Sequence, residues 1–252
     1  MKVAIINHKG GVGKTTLAVN IAFRYAEKEK ALALIDFDNQ CNAMQLFSGF
    51  EWNGELFWKN PHNDVVVFPG IFKEVNNWLG DVVFDCPPAF SESENFITHL
   101  RNYNIGIDVW IIPVISRTSF EGALSICYRI KSNYLSSRVV LVLNNCVNNK
   151  LTQHDRAEAT KFSGVELYKQ VIPQATCGLT NFEHNGGKSV WEFYRRKQFA
   201  IKMRDFCDWV LEGCPASETF SNGSTGIISP TDLQRKNFVS YSPNRKINYG
   251  NY

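Results

Sequence analysis

Residues 9–16 read Lys9-Gly10-Gly11-Val12-Gly13-Lys14-Thr15-Thr16, directly after the apolar run Val3-Ala4-Ile5-Ile6. An apolar strand, a glycine-rich turn, then a lysine and a hydroxyl residue is the pattern of a phosphate-binding loop. Glycines let successive backbone N–H groups turn inward and cradle phosphate oxygens. Lys14 is expected to reach the β- and γ-phosphates, and the Thr15 hydroxyl to ligate Mg²⁺. Thr16 opens a helix whose N-terminal dipole favours an anion. Gly10, Gly11, Val12 and Gly13 supply the cradle. Lys9 stands before the turn and has no evident role within its own loop.

The rest of the chain alternates short apolar runs with helical patterns. Residues 2–7, 31–36, 64–68, 81–85, 107–113 and 138–144 have the length and continuity of strands buried on both faces. Leu17, Ile21 and Tyr25 recur at i, i+4, i+8. Phe120, Ala123, Leu124, Cys127 and Ile130 make a second helical stripe. The alternation predicts an α/β fold, a doubly wound and mainly parallel sheet flanked by helices. Ligands of such sheets bind at the carboxyl ends of the strands. Lys14, Asp38 and Asp85 all fall just past expected strand ends, so one site can contain them.

At 252 residues the chain is long enough for one full core, expected over residues 1–212. No apolar run approaches the ~20 residues of a membrane span. The opening residues read as the first strand rather than as a targeting segment. Seven cysteines, at 41, 86, 127, 146, 177, 207 and 214, include no Cys-x-x-Cys pair and fit a reducing cytosol. A net charge of +3 is too small to argue nucleic-acid binding by itself. About half of residues 213–252 are Gly, Pro, Ser, Thr or Asn, without apolar periodicity, which reads as a largely disordered extension.

The string at 9–16 resembles the deviant Walker A box of the ParA/MinD family of ATPases. Asp36-Phe37-Asp38-Asn39-Gln40-Cys41-Asn42-Ala43 is similar to the family's switch I, with Asn39 in place of a proline and Cys41 in place of a glycine. Val82-Val83-Phe84-Asp85-Cys86-Pro87-Pro88 resembles its Walker B strand and switch II. Val109-Trp110-Ile111-Ile112-Pro113-Val114 and Phe120-Glu121-Gly122 resemble the segment that follows. Val171-Ile172-Pro173 and Gly187-Lys188-Ser189-Val190-Trp191-Glu192-Phe193 resemble the closing motifs of the ParA branch. The resemblance covers residues 2 to about 211. The short stretch before Lys9 leads us to expect no helix-turn-helix module, as in the small ParA proteins it resembles.

The resemblance implies an Mg²⁺-dependent ATPase that dimerises with ATP. Asp85 would hold Mg²⁺, Asp36 would lie deeper beside the metal, and Asp38 would orient the attacking water. Lys9 would reach the phosphates of the partner subunit. A positive charge supplied in trans couples catalysis to assembly. Asn144, at the end of the run 139–143, would contact the adenine edge, with the turn after Pro173 on its other side. Arg195, Arg196, Lys197, Lys202 and Arg204 form the densest basic segment and are the expected surface for non-specific DNA. The arginines that ParA proteins often carry after Ile-Pro are replaced here by Gln174, Ala175, Thr176 and Cys177. The implied role is partition or positioning of a plasmid, chromosomal origin or protein assembly. A ParB-like or other centromere-binding adaptor would stimulate hydrolysis, and the protein would be cytoplasmic and nucleoid-associated. The rivals are a MinD-like membrane-associated ATPase, an iron–sulfur reductase and a metabolic P-loop enzyme of the same fold. Residues 236–252 show no apolar face for membrane binding, and Cys86 and Cys127 lack the glycine-rich context of cluster ligands.

Overall fold

The structure, a computed structural model, describes residues 1–38, 40–48, 57–59, 63–70, 75, 77–88, 90–144, 164–174, 188–194 and 197–216; side chains at 90–94, 117, 118, 121 and 193 lie outside the description. The elements are β1 (Lys2–Ile5), α1 (Lys14–Glu27), β2 (Leu32–Asp36), α2 (Asn42–Ser48), β3 (Trp58–Lys59), β4 (Val65–Pro69) and β5 (Asp81–Asp85). They continue with α3 (Phe90–Asn102), β6 (Val109–Val114), α4 (Arg117–Asn133), β7 (Arg138–Leu143), β8 (Val165–Leu167), α5 (Val190–Phe193) and α6 (Gln198–Leu211).

Among the described residues the strands form one sheet in the order β3-β4-β2-β5-β1-β6-β7-β8. All neighbours are parallel except the short β3, which runs against β4. The strand order therefore departs from β1 in both directions, and the loop after β1 lies at the switch point where such sheets bind ligands.

Successive strand residues point to opposite faces, and the two cores follow that alternation. Val3, Ile5, Leu34, Val83 and Ile111 pack with α1, α2 and α6. Ala4, Ile35, Val82, Phe84 and Ile112 pack with α3 and α4. Both faces are covered, which is why these strands read as unbroken apolar runs. Leu17, Ile21 and Tyr25 of α1 are fully buried, as are Ala123 and Ile130 of α4.

Three helices end in the same way. The N–H of Lys30 bonds Tyr25 O and that of Glu29 bonds Ala26 O; Ile105 to Leu100 with Asn104 to Arg101, and Cys214 to Trp209 with Gly213 to Val210, repeat the pair. These are paired 6→1 and 5→2 closures, with Glu29, Asn104 and Gly213 at positive φ. The change of composition at Gly213 is thus a helix cap. Packing continues two residues beyond it. Cys214 is fully buried, and its carbonyl accepts from Arg138 Nη1. Trp209 Nε1 donates to Pro215 O at 2.8 Å. Cys214 and Pro215 thus pack on the end of α6 and on Arg138, and residues 217–252 lie outside the description.

A chain ending at Ala216 should unfold at the same denaturant concentration as the full chain. One ending at Glu212 should lose about 2 kcal/mol, because it removes the buried Cys214 and the carbonyl that Arg138 uses. Urea unfolding followed by tryptophan fluorescence compares the three.

Candidate active site

The loop at 9–16 leaves the end of β1 and closes on the first turn of α1. Gly11 and Gly13 have φ of 73° and 89°, where a Cβ is strained. Gly13 is required a second time by space, since a Cβ there would lie 2.3 Å from Asn144 Nδ2. That amide donates to Val12 O at 2.8 Å. Asn144 sits at the end of β7 and is tied to the next strand by its N–H to Val114 O at 2.9 Å. Its side-chain nitrogen braces the phosphate loop across β6. This contact sets Asn144 beside the loop at the carboxyl end of β7. Pro173 follows Ile172, whose N–H bonds Leu143 O at 2.9 Å, so it lies beside the end of β7. The segment after Gln174 lies outside the described residues.

Two aspartates face each other across the sheet. Asp36 ends β2, Asp85 ends β5, and they are register partners; Asp85 is also paired with Ile5 of β1. Each is about 1% exposed. Their surroundings differ. Asp36 Oδ1 accepts from Asp38 N at 3.1 Å and Oδ2 from Met44 N at 2.9 Å. It ties switch I to the start of α2. Burial nevertheless pushes its pKa up to about 6, against the pull of the Met44 and Asp38 N–H groups. Asp85 receives no well-aligned hydrogen bond among the described residues. The Thr15 hydroxyl is near enough to oppose the shift without being aligned on either oxygen. Burial, then the charge of Asp36, pushes Asp85 up to about 8.

Lys14 is 7% exposed. Its Nζ reaches Lys9 O at 3.4 Å. Burial lowers its pKa, and Asp85 is the largest opposing influence. A buried lysine and a buried orphan carboxylate on one side of a glycine loop form a site short of partners. The set fits a phosphate for the lysine and loop N–H groups. It also fits a hard cation for Asp85 and Thr15. Asp36, with both oxygens already accepting, is the weaker candidate for that cation.

Asp38 is half-buried beyond β2; its Oδ1 accepts from Gln40 N at 3.0 Å and its carbonyl from Cys41 N at 2.9 Å. Asn39 lies outside the described residues. Cys41, where the resembled motif has glycine, takes φ of 51°. Lys9 is exposed, with its Nζ 3.4 Å from Ser116 Oγ. The two lysines of one loop therefore part, Lys14 into the site and Lys9 to the surface.

The basic segment is only partly described, since Arg195 and Arg196 lie outside. Lys197 is exposed and lies 5.3 Å from the centroid of the Tyr194 ring. Lys202 pairs with Asp205 at 3.7 Å. Arg204 is exposed, but it shares a cleft of about 880 Å³ with Glu27, Asp205 and Asp208. Acids one turn away offset part of the positive run.

Two asparagines that link the site's segments escaped the sequence reading. Asn7 is fully buried and accepts from Lys9 N at 3.0 Å. Asn20 is fully buried on α1, donating to Thr16 O at 2.8 Å and accepting from Val190 N at 3.1 Å. It links the closing motif to the helix that begins at the loop. The signal was present in both cases, an asparagine inside an apolar stripe.

The CobQ/CobB/MinD/ParA nucleotide binding domain family (CbiA) matches residues 3–179. The chromosome-partitioning ATPase Soj of Thermus thermophilus is 50% identical over 42 residues, 17% of each chain. The chain aligns to only 14–18% of the length of the first curated relatives it matches. Among solved structures, the MinC:MinD cell division complex of Aquifex aeolicus superposes with a TM-score of 0.63 at 17% identity, covering 84% of this chain and 95% of that one. A putative plasmid partition protein of Borrelia burgdorferi bound to AMPPNP gives a TM-score of 0.58 at 16% identity, covering 84% and 98%. With the phosphate loop at the switch point and Asp36 and Asp85 beside it, the chain belongs to the CobQ/CobB/MinD/ParA nucleotide-binding domain family.

Proposed function

We propose that this protein is an ATPase that dimerises on ATP, binds DNA without sequence preference and positions a cargo. The cargo would be a plasmid, a chromosomal origin or a protein assembly, and an adaptor bound to it would stimulate hydrolysis. The observation that carries the reading is the division between the two lysines. Lys14 and the Asp85 carboxylate supply the charges a single site needs, and Lys9 is left at the surface of the same loop. A lysine there serves a second subunit. Similarity to a chromosome-partitioning ATPase of Thermus and to a plasmid partition protein of Borrelia supports a role in partition.

Lys14 would hold the β- and γ-phosphates against the loop N–H groups. Thr15 and Asp85 would hold Mg²⁺, which when bound offsets phosphate charge. Asp38, at the mouth of the site, would orient the attacking water, and Asp36 would fix the segment that carries it. The partner's Lys9 would complete the charge around the γ-phosphate. Among the described residues no helix is long and apolar enough to cross a membrane. The protein would act in the cytoplasm, on the nucleoid.

Lys14→Ala should weaken MgATP binding by about 100-fold or more, since no other residue of the loop brings charge to the phosphates. Fluorescent-nucleotide titration reads this, and wild-type affinity would reject the loop as the ATP site.

Lys9→Ala should bind ATP and fail to dimerise. Asp38→Ala should bind ATP, dimerise and hydrolyse on the order of 10²–10³-fold more slowly. Light scattering with ATP separates them, and equal dimerisation of the two contradicts a trans role for Lys9.

DNA binding should require ATP and weaken steeply with salt, with log K falling about 0.9 per neutralised phosphate for each unit of log salt. Lys197→Ala/Arg204→Ala should reduce that slope by about 2 per subunit and spare dimerisation. Wild-type DNA affinity at matched salt would remove these residues from the interface. ATP-dependent pelleting with anionic liposomes and no DNA binding would favour the membrane-associated alternative.

A further inference from the structure

The strand β1 ends at Ile5, yet the chain stays buried for two more residues. The second of them, Asn7, has an unusual set of partners. Its Nδ2 donates to Pro113 O at 2.8 Å and lies 3.4 Å from Ser119 O; its Oδ1 accepts from Lys9 N at 3.0 Å. All three are main-chain groups, from β6, α4 and the start of the phosphate loop. A buried amide held in this way does not rotate without orphaning a polar group in a dry interior.

The other end of Lys9 meets the same block. Its Nζ is 3.4 Å from Ser116 Oγ. Ser116 is fixed by Ser119, whose hydroxyl receives the N–H groups of Ile115 and Ser116, each at 2.9 Å, and donates to Ser116 O at 2.7 Å. The N–H of Ser119 returns to Ser116 Oγ at 3.3 Å. Ser119 is fully buried. The hydroxyls cap α4, and the capped turn is where the amine of Lys9 rests. Both ends of Lys9 are thus referred to β6 and α4, whereas Lys14 is placed by the loop and the first turn of α1.

We propose that Asn7, Ser119 and Ser116 are positioning residues for Lys9, a brace from β6 and α4 that aims this lysine out of its own subunit. The proposal rests on the reading that Lys9 acts in a partner's site. A flexible lysine loses rotamer and backbone freedom when it enters that site, and a brace that fixes its main chain beforehand lowers this cost. The brace should therefore set assembly and turnover and leave nucleotide affinity alone.

The test uses the full chain with Asn7→Ala and Ser119→Ala, and Ser116→Ala in case either buried variant fails to fold; melting curves identify the folded variants. MgATP affinity of the monomer should stay within about threefold of wild type. ATP-dependent dimerisation should weaken and kcat fall by about tenfold, with KM for ATP little changed. Ser119→Ala should give the same split without altering the loop. The brace is overturned if folded Asn7→Ala and Ser119→Ala dimerise and turn over as wild type. It is also overturned if Asn7→Ala loses MgATP affinity as far as Lys14→Ala does, since Asn7 would then belong to the phosphate cradle. Loss of dimerisation in Lys9→Ala beside normal dimerisation in Asn7→Ala rejects the brace and keeps the trans lysine. Normal dimerisation in both rejects the trans lysine itself.

Discussion

Asp85 is buried at the end of β5, the strand next to β1, with no aligned donor among the described residues, and Lys14 is buried beside it. An unpaired carboxylate in a dry interior is costly; burial and the Asp36 charge push its pKa up to about 8, a cost that a bound cation would offset. The fold supplies this arrangement. Parallel strands β2, β5 and β1 end at the same level, so Asp36, Asp85 and the loop after Ile5 share one rim. Covering both faces of the sheet leaves that rim as the place where backbone N–H groups open to a ligand.

Asparagines tie the loop and its flanks, alongside the fully buried Val12. Asn144 fixes the loop from β7, Asn7 fixes the Lys9 main chain ahead of the cradle from β6 and α4, and Asn20 joins the first helical turn to α5. Each amide donates to a main-chain carbonyl, and Asn7 and Asn20 also accept an N–H. Such contacts have directions, so they set the loop more narrowly than hydrophobic contact does. Asp36 does the same for switch I, with one oxygen on Asp38 N and the other on Met44 N. The segments around the site are anchored at defined points.

What was legible in the sequence was contiguous. The loop at 9–16 is a single string whose chemistry depends on neighbours, and the buried parallel strands appear as unbroken apolar runs. The runs overstate strand length: 2–7 includes Asn7, which is buried for its hydrogen bonds and not as strand. The edge strands β3 and β8 were missed, because two residues and three half-buried residues leave no pattern. The partner of Asn144 was not legible, since it lies at the other end of the domain in sequence. In the basic segment, Asp205 sits one turn from Lys202, and a count of lysines and arginines hides that pairing. The buried Cys214 lay in a stretch whose composition resembles a tail.

The central claim is that Lys9 works in the site of another subunit. Mixing Lys9→Ala with Asp38→Ala chains tests it directly, by the steady-state ATPase rate of the mixture. If Lys9 acts in trans, a mixed dimer contains one complete site, with Asp38 from one chain and Lys9 from the other. Each mixed dimer then has one working site, so the mixture should rise well above the sum of its components, toward about a quarter of the wild-type rate as mixed pairing approaches random. A mixture no more active than the sum of its two components would contradict the account and place Lys9 within its own subunit's chemistry.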